Sequence, residues 1–199
     1  MSNYSICDIK TIDELDKDYT QWVALIVRGT DFTPTLNNNF IKKLANEGKS
    51  KGIYITINRP YKNVEQTLKK NKVHLGNIFF VDLSSGHSDL SGDPENASII
   101  EPPSNLTKLA ISFVQAAKML QKESTNNEPI FVIVDSINTF LVYNSEPVVK
   151  RFFHFLVSKA REMNFKCLML STDTKDAMSL NSLLGEFSDG VIKCSGDKK

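Results

Sequence analysis

The sequence predicts an α/β fold: a mainly parallel β-sheet with helices on both faces. Three observations carry that prediction: six short apolar runs, the helix-period segments that separate most of them, and the near-continuous hydrophobicity of the runs. A strand exposed on one side alternates apolar and polar residues, whereas a strand covered on both sides is apolar throughout. Covering both faces of a sheet takes helices, which the intervening segments supply.

Residues 22–30 (WVALIVRGT) read as a buried strand ending at Gly29, and a helix carrying Phe40, Ile41, Leu44 and Ala45 follows. Residues 52–58 (GIYITIN) are rich in β-branched and aromatic side chains and precede a helix over 63–72. Another buried run, 77–83 (NIFFVDL), closes in the turn-rich Ser84-Ser85-Gly86-His87-Ser88. Residues 89–104, with Gly92, Pro94, Pro102 and Pro103, form the one long irregular stretch and are expected on the surface. Beyond it Leu106, Leu109, Ala110, Phe113, Ala117 and Leu120 recur at spacings of three and four, the stripe of an amphipathic helix. The most apolar strand is 130–135 (IFVIVD). A helix over about 146–163, a strand at 166–171 (KCLMLS), a short helix around 177–187 and a last strand at 190–194 (GVIKC) complete the order.

A chain of 199 residues with 41% hydrophobic and 24% charged residues is expected to form one domain, with a core over about 22–194, an N-terminal extension at 1–21 and a short tail at 195–199. Its net charge of +1 provides no global field toward nucleic acid or an anionic membrane. Cys7, Cys167 and Cys194 are odd in number with no C-x-x-C pair, which implies a reducing compartment and neither a disulfide nor a zinc framework. The polar N-terminus has no signal-like apolar run, and no stretch approaches the roughly 18 apolar residues of a membrane span. A cytoplasmic location is expected.

The loop after the first strand stands where a phosphate-binding loop G-x-x-x-x-G-K-[ST] would lie, between a buried strand and a helix. Counted from Gly29, the second glycine becomes Pro34, the lysine Thr35 and the hydroxyl residue Leu36; counted back from the helix end at Asn46-Glu47-Gly48, the three places fall on Leu36, Asn37 and Asn38. Neither register supplies a lysine.

Four landmarks occur in a characteristic order: Glu47-Gly48 ending the first helix, Gly52 to Ile57 as the second strand, Phe131 to Ser136 as an hhhhDS strand, and Ser188-Asp189-Gly190-Val191-Ile192 before the last strand. In that order and spacing the chain resembles the RecA-like P-loop ATPases, specifically their KaiC-like branch, over about 22–194. The resemblance implies a RecA-like P-loop NTPase fold and makes Asp135 the Walker B aspartate that holds Mg²⁺ through water. It also implies a pair of glutamates after the second strand to activate water. Asn58 and Arg59 occupy those places, and neither is a general base at neutral pH. KaiC-like domains continue past the last strand into a hairpin bearing basic residues, and the sequence given ends at Cys194-Ser195-Gly196-Asp197-Lys198-Lys199 without one.

The expectation is therefore a non-catalytic RecA-like domain with a degenerate Walker A region. No cofactor is expected, although weak binding of ATP with Mg²⁺ stays open, because helix N-termini accept anions. Its residues would be Gly29, Thr35, Asn37, Asn38 and Asp135, a vestigial nucleotide site. The plainer alternatives also stand: an ordinary helix cap shaped by Pro34 and Thr35, and Asp135 as a brace for the loop to Ser136. A divergent ATP-binding protein, ATPase or nucleotide sensor remains the other function class.

His74, His87 and His154 lack ligand spacing. Asp82 and Asp173 also end strands and could form an acidic rim with Asp135. Lys150, Arg151, Lys159 and Arg161 make one helix basic, at the spacing of a solvated face, so nucleic acid is not an expected partner. In the same helix Val148, Val149, Phe152, Phe153, Phe155, Leu156, Ala160 and Met163 cover more than one stripe, which fits either a helix sandwiched in the domain or a surface buried by a partner. A protein partner, by self-association or with a related RecA-like protein, is expected; a membrane is not. The strand ending at Asp135 is expected beside the strand ending at Gly29.

Overall fold

The structure, a computed structural model, describes residues 10–18, 20–29, 35–45, 49–84, 95–124 and 129–194. Its strands are β1 (Val23–Arg28), β2 (Lys51–Thr56), β3 (Ile78–Asp82), β4 (Ala97–Ile99), β5 (Ile130–Val134), β6 (Lys166–Thr172) and β7 (Gly190–Cys194). The helices are α1 (Lys10–Asp18), α2 (Thr35–Ala45), α3 (Tyr61–Lys70), α4 (Leu106–Glu123), α5 (Phe140–Tyr143), α6 (Glu146–Glu162) and α7 (Met178–Phe187). All six strands expected from apolar runs are present. The seventh, β4, lies in the stretch expected to be irregular, and α1 lies in the extension.

The seven strands form one all-parallel sheet in the order β4-β3-β2-β5-β6-β1-β7. From β1 the chain crosses to β2 and steps outward to β4; it then returns to β5 in the centre and proceeds through β6 to β7. Parallel crossovers are right-handed, so reversing the direction of travel moves the helices to the opposite face. Helices α2 and α3 accordingly pack with Ala24, Ile26, Tyr54, Phe80 and Leu168, while α4, α6 and α7 pack with Leu25, Ile53, Val132 and Met169. The expectation of a mainly parallel α/β sheet with helices on both faces therefore holds.

One expected adjacency does not. β5 pairs with β2 and β6, and β6 stands between β5 and β1. A run of apolar residues encodes burial but not neighbours, since any crossover helix can span one strand or two.

Close packing explains several choices along the strands. Gly52 faces Phe131 across the β2–β5 register, and a Cβ there would stand 2.1 Å from the phenyl ring, so the ring fills the space over the glycine. The Phe-rich helix α6 is sandwiched: it contacts α4, α5, α7 and β6, with Phe152 and Leu156 buried and Phe155 half-buried. Phe140, Phe152 and Phe153 form an aromatic cluster with centroids 5.3–5.9 Å apart. Each such ring contributes about 1.5–3 kcal/mol by leaving water, so the breadth of apolar coverage on α6 belongs to the domain's own core. Three of the four cations of this helix are engaged too: Lys150 with Glu146, Lys159 with Glu162 and Arg161 with Asp189.

Cys194 is disulfide-bonded, which corrects the expectation of no disulfide and removes the cysteine argument for a reducing compartment. Pairing depends on spatial approach of a few Å, which count and spacing in sequence do not report. Cys167 is a free, buried thiol whose burial pushes its pKa up to about 12, leaving it inert at neutral pH. Among the described residues no helix is long and apolar enough to cross a membrane.

Candidate functional site

In parallel α/β sheets a ligand crevice opens at the carboxyl ends of strands where the chain's direction of travel reverses. Here β2 sends its helix to one face and β5, its neighbour, sends α6 to the other. Asp135 sits at this junction, one residue past β5.

Side-chain alternation decides what surrounds it. Tyr54 pairs with Ile133, two residues before Asp135, and so shares its face; Arg28 pairs with Thr172 and has the parity of Ile26 and Leu170 on that same face. The register thus aims Tyr54, Arg28 and Asp135 at the side occupied by α2 and α3. The Asp135 amide donates to the Ile55 carbonyl at 2.9 Å and fixes the carboxylate against β2.

The carboxylate is buried and fully engaged. Its Oδ2 accepts from the Tyr54 hydroxyl at 3.0 Å and from Arg59 Nη2 at 3.2 Å. Its Oδ1 accepts from Ser136 Oγ at 3.2 Å and lies 3.8 Å from Arg28 Nη2. Ser136 has φ of 66°, a left-handed conformation that turns the chain sharply out of β5. Burial pushes the Arg28 guanidinium below its usual value, with the Asp135 carboxylate opposing that shift; arginine's usual value is so far above neutrality that it stays charged. Burial, with Asp135 adding to it, holds the Tyr54 phenol well above its usual value, so it is a neutral donor. Arg28 also donates from Nε to the Ser171 carbonyl at 3.2 Å, tying β1 to β6.

The loop that presents Arg59 is braced at both ends. Thr56 Oγ1 donates to the Arg59 carbonyl at 2.8 Å, and the Tyr61 amide, opening α3, donates to Asp82 Oδ2 at 2.7 Å. Asp82 Oδ1 accepts from the Ser84 amide at 2.7 Å and the Ser84 hydroxyl at 2.9 Å. A carboxylate capping a helix N-terminus satisfies amides that the helix leaves free. Asp82 is thus a structural cap, Asp173 is exposed, and the three aspartates do not act as one acidic rim.

A neutral network occupies the opposite face at the same end of the sheet. Ser171 Oγ donates to Asn138 Oδ1 at 2.7 Å and also bonds Asn181; Asn138 Oδ1 accepts from the Thr172 amide at 3.0 Å, and Asn138 Nδ2 donates to the Thr172 carbonyl at 3.0 Å. These amides tie α7 and the short 3-10 turn 137–139 to the end of β6.

Of the residues expected to hold nucleotide, Gly29 lies at the end of β1, where its amide donates to the Cys194 carbonyl at 2.8 Å. Thr35, Asn37 and Asn38 belong to the first turns of α2, but their side chains, like the loop from 30 to 34, lie outside the described residues. Arg59 enters the site as an ion-pair partner, beyond the missing glutamate that the sequence alone made of it. Tyr54 and Arg28 were not anticipated. Their shared parity with Asp135 was visible, but the strand order that makes it matter was not.

The resemblance to RecA-like ATPases implies a nucleotide with Mg²⁺ at this carboxylate, and the donor set does not fit it. Mg²⁺ takes six oxygen ligands and gives up its waters reluctantly, so it needs acceptor oxygens that are free to bind it or its waters. Here both carboxylate oxygens already accept from protein donors, and two guanidiniums flank a single carboxylate. Among the described residues no group of three or more His, Cys, Asp or Glu side chains gathers elsewhere.

A sequence profile of a family of unknown function, DUF7504, matches residues 31–193. No curated protein matches the sequence. Among solved structures, a KaiC-like protein from the hyperthermophilic archaeon Pyrococcus horikoshii OT3 superposes with a TM-score of 0.61 at 16% identity, covering 89% of this chain and 74% of the other. An uncharacterised protein from Pyrococcus horikoshii, solved in complex with an unknown peptide, gives a TM-score of 0.65 at 10% identity, covering 94% and 83%. At these identities the likeness is one of fold.

Proposed function

Because the chain belongs to the DUF7504 family of unknown function, membership brings no activity with it, and we propose that it is a non-catalytic RecA/KaiC-like domain acting through protein–protein contacts, in a regulatory or scaffolding role. The observation that carries this reading is Arg59. It stands after β2, where a catalytic carboxylate would activate water, and its guanidinium instead pairs with Asp135. A group that stays protonated cannot take a proton from water.

Contact with another protein is supported by exposed apolar side chains on the elements that leave β5 and β6. Val142 is 76% exposed, Tyr143 46% and Met178 66%. The peptide held by the Pyrococcus protein of similar fold is consistent with such a role. The occupant we propose is a second copy of this chain or a related RecA-like protein, without membrane or nucleic acid.

The test pairs an ATPase assay and nucleotide analysis of the purified protein with affinity capture and light scattering. We expect no hydrolysis above a buffer control and a protein partner or self-association. Turnover that disappears in Asp135→Ala would overturn the proposal in favour of a divergent ATPase.

A further inference from the structure

We propose that Arg59 is a tethered cation: its guanidinium takes the charge-neutralising place of the divalent cation that an aspartate at this strand end otherwise holds, and keeps metal out. The inference deepens the functional reading above and rests on the same site. Arg59 Nη2 reaches Asp135 Oδ2 at 3.2 Å beside the Tyr54 hydroxyl, while Ser136 and Arg28 address Oδ1. A guanidinium offers only donors, so it satisfies a carboxylate without demanding further oxygen ligands. Its carbonyl is anchored by Thr56, and α3 begins two residues later under the Asp82 cap. Because the cation is part of the chain, it competes with dissolved metal at the high effective concentration of a short tether. The Arg59 side chain is 39% exposed and that of Asp135 5%, so the guanidinium lies on the more solvent-accessible side of the pair.

The experiment is a Mn²⁺ titration, followed by electron paramagnetic resonance and calorimetry, on the full chain without nucleotide. Wild type is expected to show no Mn²⁺ binding that depends on Asp135. Arg59→Glu removes the tethered charge and places a second carboxylate beside the first; it should bind Mn²⁺ at least about tenfold more tightly than wild type, and Arg59→Glu with Asp135→Asn should lose that gain. Should Arg59→Glu fail to fold, Arg59→Gln keeps a polar, shorter side chain without the charge and is read in the same titration. Mn²⁺ bound by wild type and lost in Asp135→Asn would overturn the proposal, as would folded Arg59→Glu or Arg59→Gln binding no better than wild type. ATP turnover by wild type would defeat the functional reading, whereas Mn²⁺ held at Asp135 without turnover would defeat this inference alone.

Discussion

Two buried aspartates end strands on either side of β2, and they are satisfied in different ways. Among the described residues, Asp82, closing β3, accepts from the Tyr61 and Ser84 amides and the Ser84 hydroxyl, three neutral donors of which two are backbone. Asp135, following β5, is held by side chains drawn from β1, β2 and the loop beyond β2, and two of those are guanidiniums. The first needs an acceptor at a helix start, for which a carboxylate is one of several solutions. The second needs a negative charge. That difference separates a local structural cap from a site whose charge balance is set by the whole sheet.

Removing each carboxylate should therefore cost different amounts for different reasons. Asp135→Ala removes the counter-charge that Asp135 supplies to Arg28, largely buried, and to Arg59, and breaking a buried pair from one side costs about 3–5 kcal/mol. Asp135→Asn should recover little, because the amide restores volume but not charge. Urea denaturation of both variants checks this. An asparagine variant close to wild type would show that charge is not what the site requires.

At the other aspartate the expected loss is smaller and more easily repaired. Asp82→Ala strands a buried amide, a half-buried amide and a hydroxyl, at about 2–3 kcal/mol. Asp82→Asn can still accept from the Tyr61 amide and should recover roughly half of that. The comparison between the aspartates then lies in the ratio of asparagine to alanine cost, near one at Asp135 and near one half at Asp82. Equal ratios would break it.

The reach of the sequence follows the same divide between local and assembled features. Continuous apolar runs such as IFVIVD announced six strands, because burial on both faces is written into composition. β4 escaped because three residues among prolines and glycines are too few for any periodicity, and α1 because a short, mostly charged segment shows no apolar stripe. Asp135 was legible as a carboxylate ending the central strand. Its partners were not, since Arg28 reaches it only because β1 lies one strand beyond β6, and Tyr54 only because β2 pairs directly with β5. The Asp82 cap was missed for a smaller reason: its contact with the Tyr61 amide joins residues 21 apart.

The finest distinction between the two aspartates is the Tyr54 phenol, which donates to Asp135. Tyr54→Phe removes the 3.0 Å bond to Oδ2 and leaves Arg59, Arg28 and Ser136 in place, so the cost near neutral pH should be about 1.5 kcal/mol, the lower end of the worth of a bond to a charged group. The pH dependence sharpens the assignment. Burial raises the folded-state value of Tyr54 above its value in the unfolded chain, so its contribution is fully present below about pH 10 and is lost as pH rises toward the folded value. Above about pH 10 the wild type should lose roughly 1.4 kcal/mol per pH unit that the phenylalanine variant does not lose, so the gap between them closes and then inverts near pH 11. Taking the difference cancels the other alkaline groups, including Cys167. Chemical denaturation of both proteins from pH 8 to 11 measures it, and a gap constant over that range would mean that the phenol is not the buried donor on which the Asp135 carboxylate rests.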